Sequence, residues 1–102
     1  MAVSAEYLTK VRRAVRQSAN VETDAEIKDL IEECRADLAV LGVLKDKAMD
    51  ETDGLILGAV RCFVRWKFGV NNEDAAANRE DYMQLRDELR KRREYTCISA
   101  TE

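Results

Sequence analysis

Four acids on one stretch, Asp29, Glu32, Glu33 and Asp37, are the side chains whose types and spacing come nearest to chemistry in this 102-residue chain. Carboxylates repeated at helical spacing can share general acid and base roles or hold a hard cation. Lys28 and Arg35 stand among them, however, which is the pattern of a solvated outward helix face. Histidine is absent altogether. With it go the commonest general base and metal ligand and the Ser-His and Cys-His nucleophile pairs. The cysteines, Cys34, Cys62 and Cys97, are odd in number and widely spaced, so neither a disulfide framework nor a CxxC metal site is indicated, and a reducing cytosol fits them. Gly54, Gly58 and Gly69 form neither GxGxxG nor a phosphate-cradling loop. The expectation is a protein that is not an enzyme, with no catalytic residues, metal or cofactor.

A second group, Arg90, Lys91, Arg92 and Arg93, has the residue types of an electrostatic footprint for nucleic acid. Asp87, Glu88 and Glu94 flank it, and the chain as a whole carries a net charge of -3. A small helical DNA-binding or regulatory protein is therefore the alternative reading rather than the first one. The charge is also polarised. Residues 1–16 hold one acid, Glu6, and four bases, Lys10, Arg12, Arg13 and Arg16, whereas residues 22–53 hold eleven acids and four bases. Opposed patches of this kind suit contacts between identical subunits or toward partners. The longest apolar run, residues 55–60, is far short of the roughly 20 residues that a membrane span needs, and no signal-peptide pattern opens the chain. A soluble, unsecreted protein is expected.

The elements that must position these groups are helices. The composition is 46% hydrophobic and 36% charged, with four glycines and no proline, so the usual helix breaker is missing. Ser4 is a candidate N-cap, and Leu8, Val11 and Val15 follow it at helical spacing with a basic face opposite. Ser18, Ala19 and Asn20 make a polar turn. Thr23, Asp24, Ala25 and Glu26 match the capping box, which predicts the start of a second helix there. Ile27, Leu30, Ile31, Cys34, Leu38 and Leu41 are its apolar stripe, and Gly42 stands where a left-handed C-cap is wanted. Residues 45–52 read as a charged, exposed connector ending in Asp50 and Thr52 as candidate N-caps. Residues 53–68 are apolar nearly all round, which predicts a buried helix closed by Gly69, with Cys62, Trp66 and Phe68 in the core. Its Arg61 and Arg65, four apart, share a face that must reach solvent or a partner. Asn71, Asn72, Glu73 and Asp74 then open a last helix, striped by Ala75, Tyr82, Leu85 and Leu89 and running to about Arg92, where the helix dipole favours the bases. Tyr95, Thr96, Cys97 and Ile98 have strand-like types with no second strand to pair with. The predicted architecture is all-α: a single small bundle of about four helices over residues 1–94, and an extended C-terminal arm over residues 95–102.

Taken in order, these segments resemble the small head-tail connector family of long-tailed bacteriophages, the adaptor or head-completion proteins, and are similar to those of siphophages that infect Gram-positive hosts. The resemblance spans roughly residues 7–95 and is one of order and spacing. It rests on Leu8, Val11 and Val15 in the opening helix; on Asp24-Ala25-Glu26-Ile27 with Leu30 and Ile31; on the apolar helix ending Val64-Arg65-Trp66-Lys67-Phe68-Gly69; and on Asn72-Glu73-Asp74-Ala75 leading to Tyr82 and Leu85. What it implies is a homo-oligomeric ring, commonly twelve-fold, that sits beneath the portal protein in the virion, extends the DNA channel, and presents a surface to the stopper or tail-completion protein. On this basis Arg90, Arg92, Arg93, Tyr95, Thr96 and Ile98 are expected to bind the portal, the bases by charge-assisted contacts and the tail by backbone pairing. The loop of Lys45, Asp46, Lys47, Met49, Asp50 and Glu51 is expected to meet the stopper or tail.

Overall fold

Local capping chemistry sets where each helix starts. The computed structural model describes residues 3–69 and 72–96, and among these the chain is all-helical. Helix α1 spans Ala5–Ala14; the hydroxyl of Ser4 caps it by accepting from the Tyr7 N–H at 3.1 Å. Tyr7, Leu8 and Val11 are its buried face. Arg16 just beyond it takes a left-handed backbone, φ 55°, which turns the chain back toward α2.

Helix α2 spans Val21–Leu41 and begins earlier than the capping box predicts. Asn20 is the cap: its side-chain oxygen accepts from the N–H groups of Glu22 at 2.9 Å and Thr23 at 3.2 Å. The box residues inside the helix are thereby released for other work. Asp24 forms a bidentate pair with Arg12 at 2.9 and 3.1 Å, and Glu26 accepts from the Gly69 N–H at 3.4 Å. Ile27, Ile31, Cys34 and Leu38 are fully buried as the stripe predicts. Gly42, at φ 116°, ends the helix in a Schellman arrangement: its N–H donates to Ala39 O at 3.1 Å, and Val43 N–H donates to Leu38 O at 2.9 Å.

The stretch predicted to be an exposed connector contains a helical turn, α3, Lys45–Ala48. Ala48 is buried in it, and only Lys45, Asp46 and Thr52 of residues 45–52 are exposed. Helix α4 spans Gly54–Lys67; Asp53, one residue past the predicted caps, accepts from the N–H groups of Leu55 and Ile56 at 2.9 and 3.0 Å. Ile56, Ala59, Val60, Phe63 and Val64 are buried, while Cys62, Trp66 and Phe68 are half-buried at the margin of the core. Gly69 has φ 83°, and Asn72 bridges the turn by donating to Arg65 O and Trp66 O and accepting from Asp74 N–H. Helix α5 spans Ala75–Lys91, with Tyr82 and Leu89 buried.

Helix α4 is the centre of the fold, packed on α5 and α2, while α1 lies against both α2 and α4. The molecule measures 45 × 28 × 19 Å, and its thinnest dimension is about two helix diameters. So thin a body leaves broad helix faces in solvent. Gly58, in the middle of α4, shows how the packing tolerates change. A Cβ there would come no closer than 3.8 Å to Leu85 Cδ1, an ordinary contact, so Gly58→Ala is expected to stabilise the protein by about 0.5–1 kcal/mol through backbone entropy alone. Urea denaturation would show this as a higher midpoint.

The predicted extended arm is corrected at its first residues. Residues Arg93–Thr96 form a short helical turn, α6, folded back on the body. Tyr95 is buried, its phenol donates to the Asp53 carboxylate at 2.7 Å, and its carbonyl accepts from Leu44 N–H at 2.7 Å. The backbone partner that strand-like residue types seek is supplied by the loop before α3, in place of a neighbouring strand. Cys97, Ile98 and the rest of the predicted arm lie outside the described residues.

Candidate functional site

The four acids singled out by spacing separate in the fold. Asp29 and Glu32 face solvent. Glu33 meets Lys67 Nζ at 3.3 Å. Asp37 belongs to a buried-edge network that sequence reasoning missed: it accepts from the Tyr82 hydroxyl at 2.6 Å and from Arg86 Nε at 2.9 Å, and the Cys34 thiol contacts the same hydroxyl at 3.8 Å. These partners lie 45 to 49 positions apart, so no local pattern announces them. The network floors a groove of about 280 Å³ between α2, α4 and α5, beside Phe63, Trp66 and Met83. Phe63 meets Trp66 and Tyr82 edge-on, with ring centroids 5.6 and 5.1 Å apart. Lys67 and Arg79 lie over the Trp66 ring. The groups are engaged with one another, which makes the arrangement a clamp across three helices. Among the described residues no three His, Cys, Asp or Glu side chains gather as a metal site, and no helix is long and apolar enough to cross a membrane.

The basic end of α5 is exposed and locally paired. Arg90 and Lys91 share Asp87, and Arg92 meets Glu88 at 3.0 Å. Pairs this exposed are worth little, about 0.2–1 kcal/mol, so the cations remain able to exchange partners. Arg93 is exposed on α6, and Thr96 donates its hydroxyl to Arg92 O at 3.2 Å. Tyr95 is consumed inside the fold, and Ile98 lies outside the described residues.

The loop assigned to a second partner adjoins this end. Leu44 N–H bonds the Tyr95 carbonyl, and Lys47 Nζ lies 6.0 Å from the centroid of the Tyr95 ring. Lys45 and Asp46 are exposed, whereas Met49 is half-buried and Asp50 closes a turn by accepting from Thr52 N–H and Oγ1. Glu51 points inward. It accepts from the Ser4 N–H at 3.0 Å and from Arg35 Nη2 at 3.5 Å. Arg35 is buried, 7% exposed, with its guanidinium 5.5 Å from the Tyr7 ring centroid. A buried cation needs a counter-charge, and Glu51 is the residue that supplies it.

These pairings fix how stability depends on pH. Burial works against the Asp37 carboxylate, but hydrogen bonds from Arg86 and Tyr82 outweigh it and hold its pKa below the ordinary 3.8. In Glu51 burial is likewise outweighed, by Ser4 and Arg35, and its pKa lies below 4.5. A lowered folded-state pKa means that the unfolded chain takes protons first, so this stabilisation is complete above the unfolded values and is lost as pH falls through the folded ones. At the other end, burial pushes the Cys34 thiol and the Tyr7 and Tyr95 phenols up to about 12. The unfolded chain then loses protons first, and stability falls as pH rises toward 12. With no histidine in the chain, urea midpoints are expected to be level between about pH 5 and 9 and to drop on both sides. A sharp change near pH 6.5 would contradict this.

No family model, no curated protein and no solved structure matches the chain.

Proposed function

We propose that the protein is an adaptor subunit of a phage head-tail connector. Its four longer helices act as one bundle that docks as a ring under a portal protein and carries the DNA channel toward a stopper or tail protein. The observation that supports this reading is the order of the longer elements: a short opening helix, a long capped helix, an apolar helix running into Trp66-Lys67-Phe68-Gly69, and a last long helix with a basic end. That order is the pattern by which the sequence resembles the connector family.

Because α6 is folded against the loop before α3, the turn that follows α5 and the loop that leads to Lys45 and Asp46 lie side by side. We assign this region to the portal, with Arg90, Arg92 and Arg93 as its charged contacts, and place the stopper or tail contact on another face. Electron microscopy of the full chain mixed with portal particles of the same virus should show added ring density. The triple variant Arg90→Glu, Arg92→Glu, Arg93→Glu should lose that density while its helical circular dichroism is unchanged. No ring with the unaltered chain would sink the reading. Strong, salt-sensitive binding of the isolated chain to duplex DNA would favour the DNA-binding alternative instead.

A further inference from the structure

Exposed bases on α1 and exposed acids on the outward side of α2 include several that form no ion pair among the described residues. On α1, Lys10 and Arg13 are exposed, with Arg16 just beyond the helix, and none of the three forms an ion pair among the described residues. On α2, Glu22, Asp29 and Glu32 are exposed and equally unpaired. Their neighbours on that outward face are Val21, Ala25, Lys28, Ala36, Ala39 and Val40. Val21 and Val40, 88% and 85% exposed, are the most exposed large apolar side chains among the described residues. A row of small side chains lets a second helix approach closely, within roughly 8–10 Å between axes. The acids within that row favour a basic helix over any other.

The spacing matches as well as the sign. Lys10 and Arg13 are three residues apart, and so are Asp29 and Glu32, so each pair spans about 4.5 Å along its axis. One crossing can therefore engage both pairs together. Glu6 on α1 and Lys28 on α2 are the interruptions, one on each face, and are themselves of opposite sign.

We propose that the outward face of α2 receives the basic face of α1 from a second copy of this chain. Because the two faces differ, the contact is heterologous: every subunit offers both, and repetition builds a closed ring or an open filament. This names the subunit contact of the ring proposed above, and rests on that reading only for the ring's closure on a portal.

Sedimentation velocity on the full chain, up to hundreds of micromolar, tests the contact directly. Association should grow with concentration and weaken at high salt. Two charge reversals, Asp29→Lys with Glu32→Lys and Lys10→Glu with Arg13→Glu, should each weaken self-association by at least about tenfold, a loss of about 1.4 kcal/mol. Mixing the two variants should restore it, which also shows that both are folded. A chain that stays monomeric at every concentration and salt overturns the proposal, as does either reversed variant associating like the unaltered chain. If the unaltered chain forms rings on portal particles and the reversed variants do so equally well, the contact is wrong while the adaptor reading stands.

Discussion

Tyr82→Ala is expected to remove a large share of the protein's stability. The ring is 1% exposed and packs edge-on against Phe63, with the Trp66 ring 6.1 Å away as the third member of the cluster. Truncating a buried aromatic costs about 3–5 kcal/mol in lost transfer energy and residual cavity. A domain of this size has about 5–15 kcal/mol in total, so the variant should unfold at far lower urea, or be unfolded outright at 37 °C. Tyr82→Phe separates the two parts of the effect. It keeps the packing and removes only the hydroxyl that bonds Asp37. Arg86 still satisfies that carboxylate, so the cost should be about 0.5–1.5 kcal/mol, that of one ordinary hydrogen bond. Equal losses in the two variants would mean that the hydroxyl network, and not the aromatic cluster, joins the three helices.

The second large effect is expected at Asp53, where one carboxylate has two tasks. It caps α4 through Leu55 and Ile56, and it accepts the Tyr95 hydroxyl that holds α6 against the body. Asp53→Ala forfeits a cap worth about 0.5–2 kcal/mol and leaves a buried phenol unpaired at a further cost of about 1–3 kcal/mol. Asp53→Asn retains an oxygen able to do both and should cost far less. Hydrogen exchange distinguishes the mechanism: in Asp53→Ala the Leu44 amide, which bonds the Tyr95 carbonyl, should lose protection along with the first turn of α4. If Leu44 stays protected, α6 is held by its packing alone.

This latch bears on the proposed docking surface. Arg93 is carried by the turn that Tyr95 anchors, so its position depends on Asp53, 42 positions before Tyr95 in the chain. A weaker latch should therefore reduce portal binding even though no charged contact has been altered.

The four longer helices were legible in the sequence because each carries its own signals: apolar residues at helical spacing or in a long run, a polar residue at its start, and, for α2 and α4, Gly42 or Gly69 at or just past the end. Ile27, Ile31, Cys34 and Leu38 are buried for the reason their spacing predicts. Competing local signals were harder to rank. Asn20 and Thr23 are both good caps, and the choice of Asn20 coincides with Asp24 facing Arg12 across the α1–α2 contact. Where the partner lies far along the chain, sequence spacing says nothing. Tyr95 has a residue type suited to a strand, yet it closes a helical turn because Asp53 and Leu44 offer its two polar groups partners that only the packed chain brings near. Asp37 reads as one more solvated acid until α5 places Tyr82 and Arg86 against it. Periodicity and caps act within a few residues, and so the sequence alone determined that the chain is helical and where its core stripes run. Pairing of buried polar groups acts across the whole molecule, and so only the tertiary structure decided which charges are consumed in the fold and which are left on the surface.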